Sequence, residues 1–190
     1  MGPEAAVEPI RALRFLPVGA LPAGLLQGIV AHVSGVLPLP CRMERPAVAE
    51  EWEFPLLEGR NQTDADRLLA RLEQRAAEPG VILCGITAQD IGSPIFAYYF
   101  GRARLGGRAA LVSVARLAPR FYGLPDDTDL TLRRAAHDVL HELGHIGGLR
   151  HCEDYGCVMR FAPTVDAIDA RGATFCAACA AAMPEPLRPR

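Results

Sequence analysis

The chain has 190 residues, half of them apolar, and a formal net charge of −2 at pH 7. This length and composition predict one domain, with a core large enough that folding does not depend wholly on a metal. Because there is no basic excess to neutralise phosphates, the charge argues against a general nucleic-acid binder and against binding to acidic membranes. No apolar run reaches the length of a transmembrane helix.

The first half of the chain alternates between strand-like and helix-like apolar patterns, which predicts an α/β sheet with helices packed on it. Thr63 precedes a run of leucines with helical spacing and is the predicted N-cap of that helix. The short apolar segment that follows suits a strand in the middle of the sheet. The predicted elements are a strand at 10–16, a buried helix at 20–33, an irregular connection at 38–59, the helix after Thr63 and the strand at 81–86.

Two further strand patterns occur at 95–100 and 109–115, with Gly106 and Gly107 between them. A β-hairpin is the simplest connection. A helix is then predicted to begin near Thr128, where aspartates place negative charge at its positive end. The proline-rich end of the chain predicts a frayed tail.

Residues 141–151 read HELGHIGGLRH, which is the pattern HExxHxxGxxH. His141 and His145 are four residues apart, so they share a helix face and can present both imidazoles to one metal ion. Gly148 permits the left-handed backbone that ends the helix and turns His151 back toward that ion. Three protein ligands leave the fourth position of a tetrahedral zinc open for water, as in catalytic zinc sites.

Glu142 directly follows the first histidine, so its carboxylate points to the side of the metal rather than into the coordination shell. In that position it can take a proton from a zinc-bound water as the general base. The spacing therefore predicts a zinc hydrolase in which Glu142 is the catalytic residue.

Four of the six cysteines follow the histidines in two pairs, Cys152 with Cys157 and Cys176 with Cys179. This spacing is close to that of structural zinc sites, in which four thiolates complete a tetrahedron. Two disulfides are the alternative and would require an oxidising compartment. Nothing supports export, because the N-terminal segment carries acidic residues and lacks the apolar core of a secretory signal.

The remaining cysteines and histidines have simpler explanations than metal binding. Cys41 and Cys84 lie in or beside apolar segments, where a free cysteine behaves as a small hydrophobe. His32 is predicted to be a packing or surface histidine. His137 lies one turn before His141, and we expect it on the surface or outside the ligand set, since three ligands are already supplied.

The stretch HELGHIGGLRHCEDYGCVM, followed by CAAC at 176–179, resembles the archaemetzincins, a metzincin-related family of zinc metalloproteases. The upstream segments GITAQDI and ARLAPRFYGLPDD also resemble that family. The likeness therefore extends over roughly residues 80 to 180.

The resemblance implies an α/β fold of the zincin or metzincin type, with a mixed twisted sheet, an active-site helix and a small C-terminal subdomain held together by zinc. It further implies that an exposed strand of the hairpin binds substrate backbone as an added strand. The implied site residues are His141, His145 and His151 on a catalytic zinc, Glu142 as the acid/base, Met159 as the floor of the site in a Met-turn, and Cys152, Cys157, Cys176 and Cys179 on a structural zinc.

We thus expect a single metzincin-like domain over 1–190: a sheet and active-site-helix subdomain at 1–147, a Met-turn and four-cysteine subdomain at 148–184, and a tail at 185–190. The predicted function is peptide-bond hydrolysis by a monomeric cytoplasmic enzyme with two zinc ions per chain. One alternative is a zinc-dependent peptide-binding or regulatory protein with little turnover, and another is a zinc-ribbon-like interaction module at the cysteines. Tyr122 or Tyr155 could stabilise an oxyanion, although packing is the better explanation for each.

Overall fold

A five-stranded mixed sheet is the centre of the fold in the computed structural model, which describes residues 9–45 and 52–190. The strand order is β2-β1-β4-β7-β6, and only the edge strand β6 runs antiparallel to its neighbour. The strands are β1 (Ala12–Val18), β2 (Cys41–Met43), β4 (Val81–Thr87), β6 (Gly101–Ala103) and β7 (Ala109–Ser113), and a separate two-stranded sheet pairs β3 (Thr63–Asp64) with β5 (Ile91–Gly92).

Helices cover both faces of this sheet, which confirms the predicted α/β fold. On β1, Leu13 and Phe15 face one core cluster and Leu16 and Val18 face the other, as expected for a strand buried on both sides. All residues of β4 are buried, so the predicted central strand is confirmed. The helices are α1 (Leu25–Val36) and α3 (Thr128–Ile146) on the first face, α2 (Ala65–Arg75) on the second, and the short α4 (Val165–Ala170) and α5 (Ala177–Ala182) after α3.

The ends of α3 follow from local chemistry. Asp127 caps its start by accepting a hydrogen bond from the Leu130 amide at 2.8 Å. The helix begins at Thr128, as predicted, and ends before Gly147. Gly148 then has a φ of 89°, which glycine adopts without strain, so the predicted turning point of the chain is confirmed.

The predicted strand at 95–100 is wrong. Ser93 and Phe96 instead close a turn, in which the Ser93 amide donates to the Phe96 carbonyl at 3.2 Å and the Phe96 amide donates to Ser93 Oγ at 3.1 Å. The guanidinium of Arg60 donates a hydrogen bond to the Ser93 carbonyl. The side-chain amide of Gln62 donates a hydrogen bond to the Ala97 carbonyl. These side chains satisfy carbonyls that a strand would have paired with its neighbour. The aromatic stretch is therefore a loop, and the hairpin is formed by β6 and β7.

Smaller corrections concern element ends. The first strand lies two residues later than predicted, and the first helix begins only at Leu25, after Pro22 and Gly24. The N-cap of α2 is Asp64 rather than Thr63, because the Asp64 carboxylate accepts from two amides of the first turn. Residues 46–51 of the predicted connection at 38–59 lie outside the described residues, as does the N-terminal segment on which the prediction about export rests.

The end of the chain does not fray. Residues Glu185–Leu187 form a 3₁₀ turn that buries Leu187 completely. Arg190 then hydrogen-bonds to the end of α1, its amide to the Val36 carbonyl and its guanidinium to the Ser34 carbonyl, both at 2.9 Å. These contacts join the C-terminal segment to the face of the sheet that carries α3.

Candidate functional site

The three histidines of the motif converge at the C-terminal end of α3. The Nε2 atoms of His141 and His145 are 3.1 Å apart. The ring of His151 lies 5.3 Å from that of His141 and 5.1 Å from that of His145, centroid to centroid. One ligand atom from each of the three rings lies within 4.8 Å of the others, which is the arrangement needed to bind one metal ion.

Backbone carbonyls fix the orientation of two of these rings. His141 Nδ1 lies 2.8 Å from the Val158 carbonyl, and His145 Nδ1 lies 2.8 Å from that of Leu149. A carbonyl only accepts, so each Nδ1 carries the proton and each Nε2 presents its lone pair. Two lone pairs facing each other need a cation between them, so the donor set fits a zinc site.

Burial keeps these histidines in the neutral form that binds metal. It lowers the pKa of His141 to about 3, and the nearby Arg171 guanidinium adds to this effect. The pKa values of His145 and His151 are also lowered, in both cases chiefly by burial. Neutral imidazoles do not have to lose a proton before binding a cation.

Glu142 lies buried beside the histidines and against the edge strand β6. Burial raises its pKa well above the usual value, and the nearby Asp138 carboxylate raises it further. The Glu142 carboxylate also lies near the Ala103 amide, which acts to lower that pKa. At Gly101 a Cβ atom would come within 2.6 Å of Glu142 Oε1, so this glycine allows the glutamate to approach the strand.

Sequence reasoning missed a buried ion pair behind the histidines. Arg171 Nη2 donates to Asp138 Oδ1 at 2.9 Å, and Arg171 Nη1 lies 3.2 Å from His141 Nδ1. Nothing in the sequence distinguishes Arg171 from the other arginines. Asp138 did carry a signal, because it lies one turn before His141 on the helix face that also carries His145.

An open cleft of about 660 Å³ leads to the histidines and Glu142. The edge strand β6 and the aromatic loop before it line one side, and Phe161, Ala162 and Pro163 line the other. Tyr98 connects the two sides, since its hydroxyl donates to the Pro163 carbonyl at 2.7 Å. A groove beside an unpaired sheet edge can accommodate an extended chain.

The two tyrosines singled out in the sequence do not line this cleft. The Tyr122 hydroxyl donates to the Arg116 carbonyl at 3.0 Å, and Tyr155 is 74% exposed with the Arg160 guanidinium over its ring. Burial is the main cause that raises the pKa of Tyr122. The described positions thus favour a structural explanation for both.

Met159 lies fully buried against α3, where its sulfur packs against Gly144 between the two helical histidines. A side chain at Gly144 would displace that sulfur. The neighbouring Val158 supplies the carbonyl that orients His141. Met159 therefore lies against the helix segment that carries His141 and His145, and its role as the floor of the site stays a prediction.

A second cluster combines the thiols of Cys152, Cys157, Cys176 and Cys179, whose sulfurs all lie within 4.8 Å of one another. All are free thiols, and the sulfurs of Cys152 and Cys176 are 3.9 Å apart. Zinc–sulfur bonds of about 2.3 Å place tetrahedral ligands about 3.8 Å apart, whereas a disulfide would require about 2.05 Å. A hydrogen bond from the Cys179 amide is the main cause that lowers the pKa of Cys176. The donor set fits a structural zinc.

The two clusters share a short stretch of backbone. Cys152 directly follows His151, and its amide donates to the Met159 carbonyl at 3.0 Å. The Val158 amide donates to the Thr174 carbonyl at 2.8 Å, while the Val158 carbonyl accepts from His141. The loops that carry the cysteines therefore also hold the groups that orient a histidine.

The remaining candidates lie elsewhere. His137 packs against His32 of α1, with ring centroids 5.5 Å apart, and burial lowers its pKa to about 4. Cys84 is buried in the core and Cys41 is half-buried. Among the described residues, neither histidine and neither cysteine belongs to a group able to bind a metal.

No described helix is both long and apolar enough to cross a membrane.

Comparisons with known proteins agree with this geometry. The model of peptidase family M54 matches residues 47–185. A Thermococcus kodakarensis protein named archaemetzincin is 30% identical over 180 residues, covering 90% of this chain and 94% of its own. A Methanocaldococcus jannaschii archaemetzincin is 42% identical over 98 residues, and that match covers 52% of this chain but only 55% of the relative.

Solved structures show the same fold. A zinc-dependent peptidase from Methanocorpusculum labreanum superimposes with a TM-score of 0.82 at 24% identity, covering 91% of this chain and 100% of its own. Archaemetzincin from Methanopyrus kandleri gives a TM-score of 0.71 at 30% identity, with 94% of each chain covered. The family model and the nearly full-length relative together show that this chain belongs to peptidase family M54, the archaemetzincin family of zinc metallopeptidases.

Proposed function

We propose that this chain is a zinc-dependent peptidase in which His141, His145 and His151 bind the catalytic zinc. The observation that carries the proposal is the pair of Nε2 atoms 3.1 Å apart, each ring held by a carbonyl at its Nδ1. This pre-organised site opens into a cleft beside an edge strand. Family membership supports the same chemistry.

Glu142 is the proposed general base. When bound, the zinc polarises the scissile carbonyl and lowers the pKa of water to roughly 7. Glu142, which lines the cleft beside the histidines, takes a proton from the attacking water and delivers it to the leaving amine. Its raised pKa suits both steps, because a carboxylate that binds a proton more tightly is the stronger base.

The substrate is a peptide or protein segment bound in extended form along β6. This strand lies at the edge of the sheet, and among the strands of the described residues it pairs in that sheet with β7 alone, which leaves its outer side for another strand. Backbone pairing of this kind aligns a peptide bond without requiring a fixed side-chain sequence.

The four cysteines are proposed to bind a second, structural zinc, giving two zinc ions per chain. The sulfur positions support a closed tetrahedral site with no place for water. In this account Met159 packs beneath the catalytic site. The protein acts as a monomer in the cytoplasm, a compartment in which free thiols persist.

Replacing Glu142 with glutamine tests the proposal. Glu142→Gln preserves size and hydrogen bonding but removes the base, so turnover of a peptide library should fall by about 10²- to 10⁴-fold while zinc content and fold remain. The exposed Glu153→Gln is the matched control and should keep full turnover. Equal cleavage by Glu142→Gln and wild type would refute the assignment. Zinc-dependent peptide binding without cleavage by the wild type would favour the non-enzymatic alternative.

A further inference from the structure

Behind the histidines lies a buried charge cluster that the proposed mechanism does not use. The side chains of Arg171 and Asp138 lie at the inner wall of the cleft but are only 2% and 5% exposed, so almost none of their surface is available to a substrate. A buried ion pair is costly to desolvate and is weak evidence of stabilisation. Its location beside two site residues calls for a different explanation.

Arg171 contacts the site along two routes. Its Nη2 donates to Asp138 Oδ1, and its Nη1 lies against the His141 ring on the side of the Nδ1 atom. Because Nδ1 already donates to the Val158 carbonyl, the guanidinium acts there as a packed wall rather than as a hydrogen-bond donor. The ring is thus confined between a carbonyl and a guanidinium.

The side chain of Asp138 also lies close to Glu142, the proposed general base. Its Oδ2 and Glu142 Oε1 lie against the same point on Gly101, at 2.5 and 2.6 Å from where a Cβ atom would be. Within residues 9–45 and 52–190, Asp138 Oδ2 has no hydrogen-bond partner, and neither does Arg171 Nε. The bond from Arg171 to Oδ1 is therefore what holds this carboxylate in place.

Asp138 also lies on the metal-facing side of α3, three residues before His141 and seven before His145. A carboxylate released at this position could turn toward the histidines or toward Glu142. Arg171 prevents this movement of the Asp138 carboxylate. The backbone of the cysteine subdomain positions Arg171 for this role, because Arg171 lies between the end of α4 and Cys176.

We propose that Arg171 is a positioning residue, which holds Asp138 away from the metal centre and fixes the His141 ring, so that the histidines and Glu142 keep their relative placement. This inference rests on the proposed function of the site. It assigns a role in the reaction to a residue outside the HExxHxxGxxH motif. It also identifies a further connection, besides the carbonyls of Val158 and Leu149, between the cysteine subdomain and the histidines.

The test compares Arg171→Met, Arg171→Lys and the double variant Arg171→Met with Asp138→Asn, all as full-length chains. Arg134→Met is the matched control, because Arg134 on α3 is likewise nearly buried at 9% exposure and pairs with an aspartate, Asp169, yet does not line the cleft. For each variant we would measure kcat and KM per bound zinc, the visible spectrum of the cobalt(II)-substituted protein, and the thermal midpoint.

Arg171→Met should lower kcat per bound zinc at least tenfold with KM within twofold, and it should change the cobalt spectrum. The double variant should recover part of both, because the asparagine carries no free charge. Arg134→Met should lower the thermal midpoint only.

A wild-type kcat and a wild-type cobalt spectrum in Arg171→Met would overturn the inference, as would a response no larger than that of Arg134→Met. If Arg171→Met fails to fold, Arg171→Lys and the double variant supply the same comparison. If the wild type cleaves nothing, the proposed function fails, while the cobalt spectra still decide the role of Arg171.

Discussion

At the scale of single residues, the site depends on glycines at two points where neighbouring elements pack closely together. Gly144 allows Met159 to pack against α3, and Gly101 allows Glu142 and Asp138 to approach β6. The sequence pattern identifies neither glycine, because Gly144 occupies one of the unspecified positions of the motif and Gly101 lies outside it. Contacts between α3 and β6 depend on the sheet, which no local spacing encodes.

Gly101→Ala should therefore damage catalysis without removing the metal. The new methyl group would come within 2.6 Å of Glu142 Oε1, so the general base must move, while the histidines keep their carbonyl partners. We expect kcat to fall by about tenfold or more at unchanged zinc content, since small displacements of a catalytic group are costly. The control is Gly35→Ala, where no atom lies within 4 Å of the new Cβ. Unchanged kcat in Gly101→Ala would show that Glu142 has room to adapt.

At the scale of elements, the cysteine loops and α3 form one unit. The Met159 carbonyl accepts from Cys152, and Val158 connects Thr174 to His141 through its own amide and carbonyl. His151 and Cys152 are adjacent in the sequence, which indicates that the two clusters lie close together. The sequence could not predict the Val158 contact, which depends on how the loop returns beneath the helix.

Cys176→Ser combined with Cys179→Ser tests this coupling. Losing two of four thiolates should release the loop that holds Val158, so the affinity of the histidine site for zinc should fall by about 10- to 100-fold. Competition with a chromogenic chelator measures that affinity directly. Cys41→Ser is the control, because Cys41 lies outside both clusters. A histidine site with wild-type affinity in the double variant would mean that the two sites are independent.

At the scale of the whole molecule, the sequence predicted the class of fold better than its connections. The α/β sheet, the central strand and α3 follow from apolar patterning and capping, and all three are present. The strand predicted at 95–100 is a loop in which Arg60 and Gln62, distant in sequence, satisfy the carbonyls of Phe96 and Ala97. The packed C-terminal end was missed for the same reason, since Arg190 finds its partners on α1.

Both metal clusters were predicted from spacing because chelation by nearby residues is a local property. The Arg171–Asp138 pair was not, because its partners are 33 residues apart and belong to common residue types. The division into subdomains at 147 and 184 stays a prediction. The structure also shows a cleft that the sequence did not predict, which lies between the edge of the sheet and the loop after Met159.

The central claim is that one chain carries two zinc centres, an open one at the histidines and a closed one at the cysteines. Elemental analysis of the purified wild-type protein, with protein concentration from amino-acid analysis, tests it most directly. The account predicts two zinc ions per chain, and one after exchange of His141 and His145 for alanine. A wild-type chain with one zinc ion or none, or a histidine variant that still binds two, would contradict it.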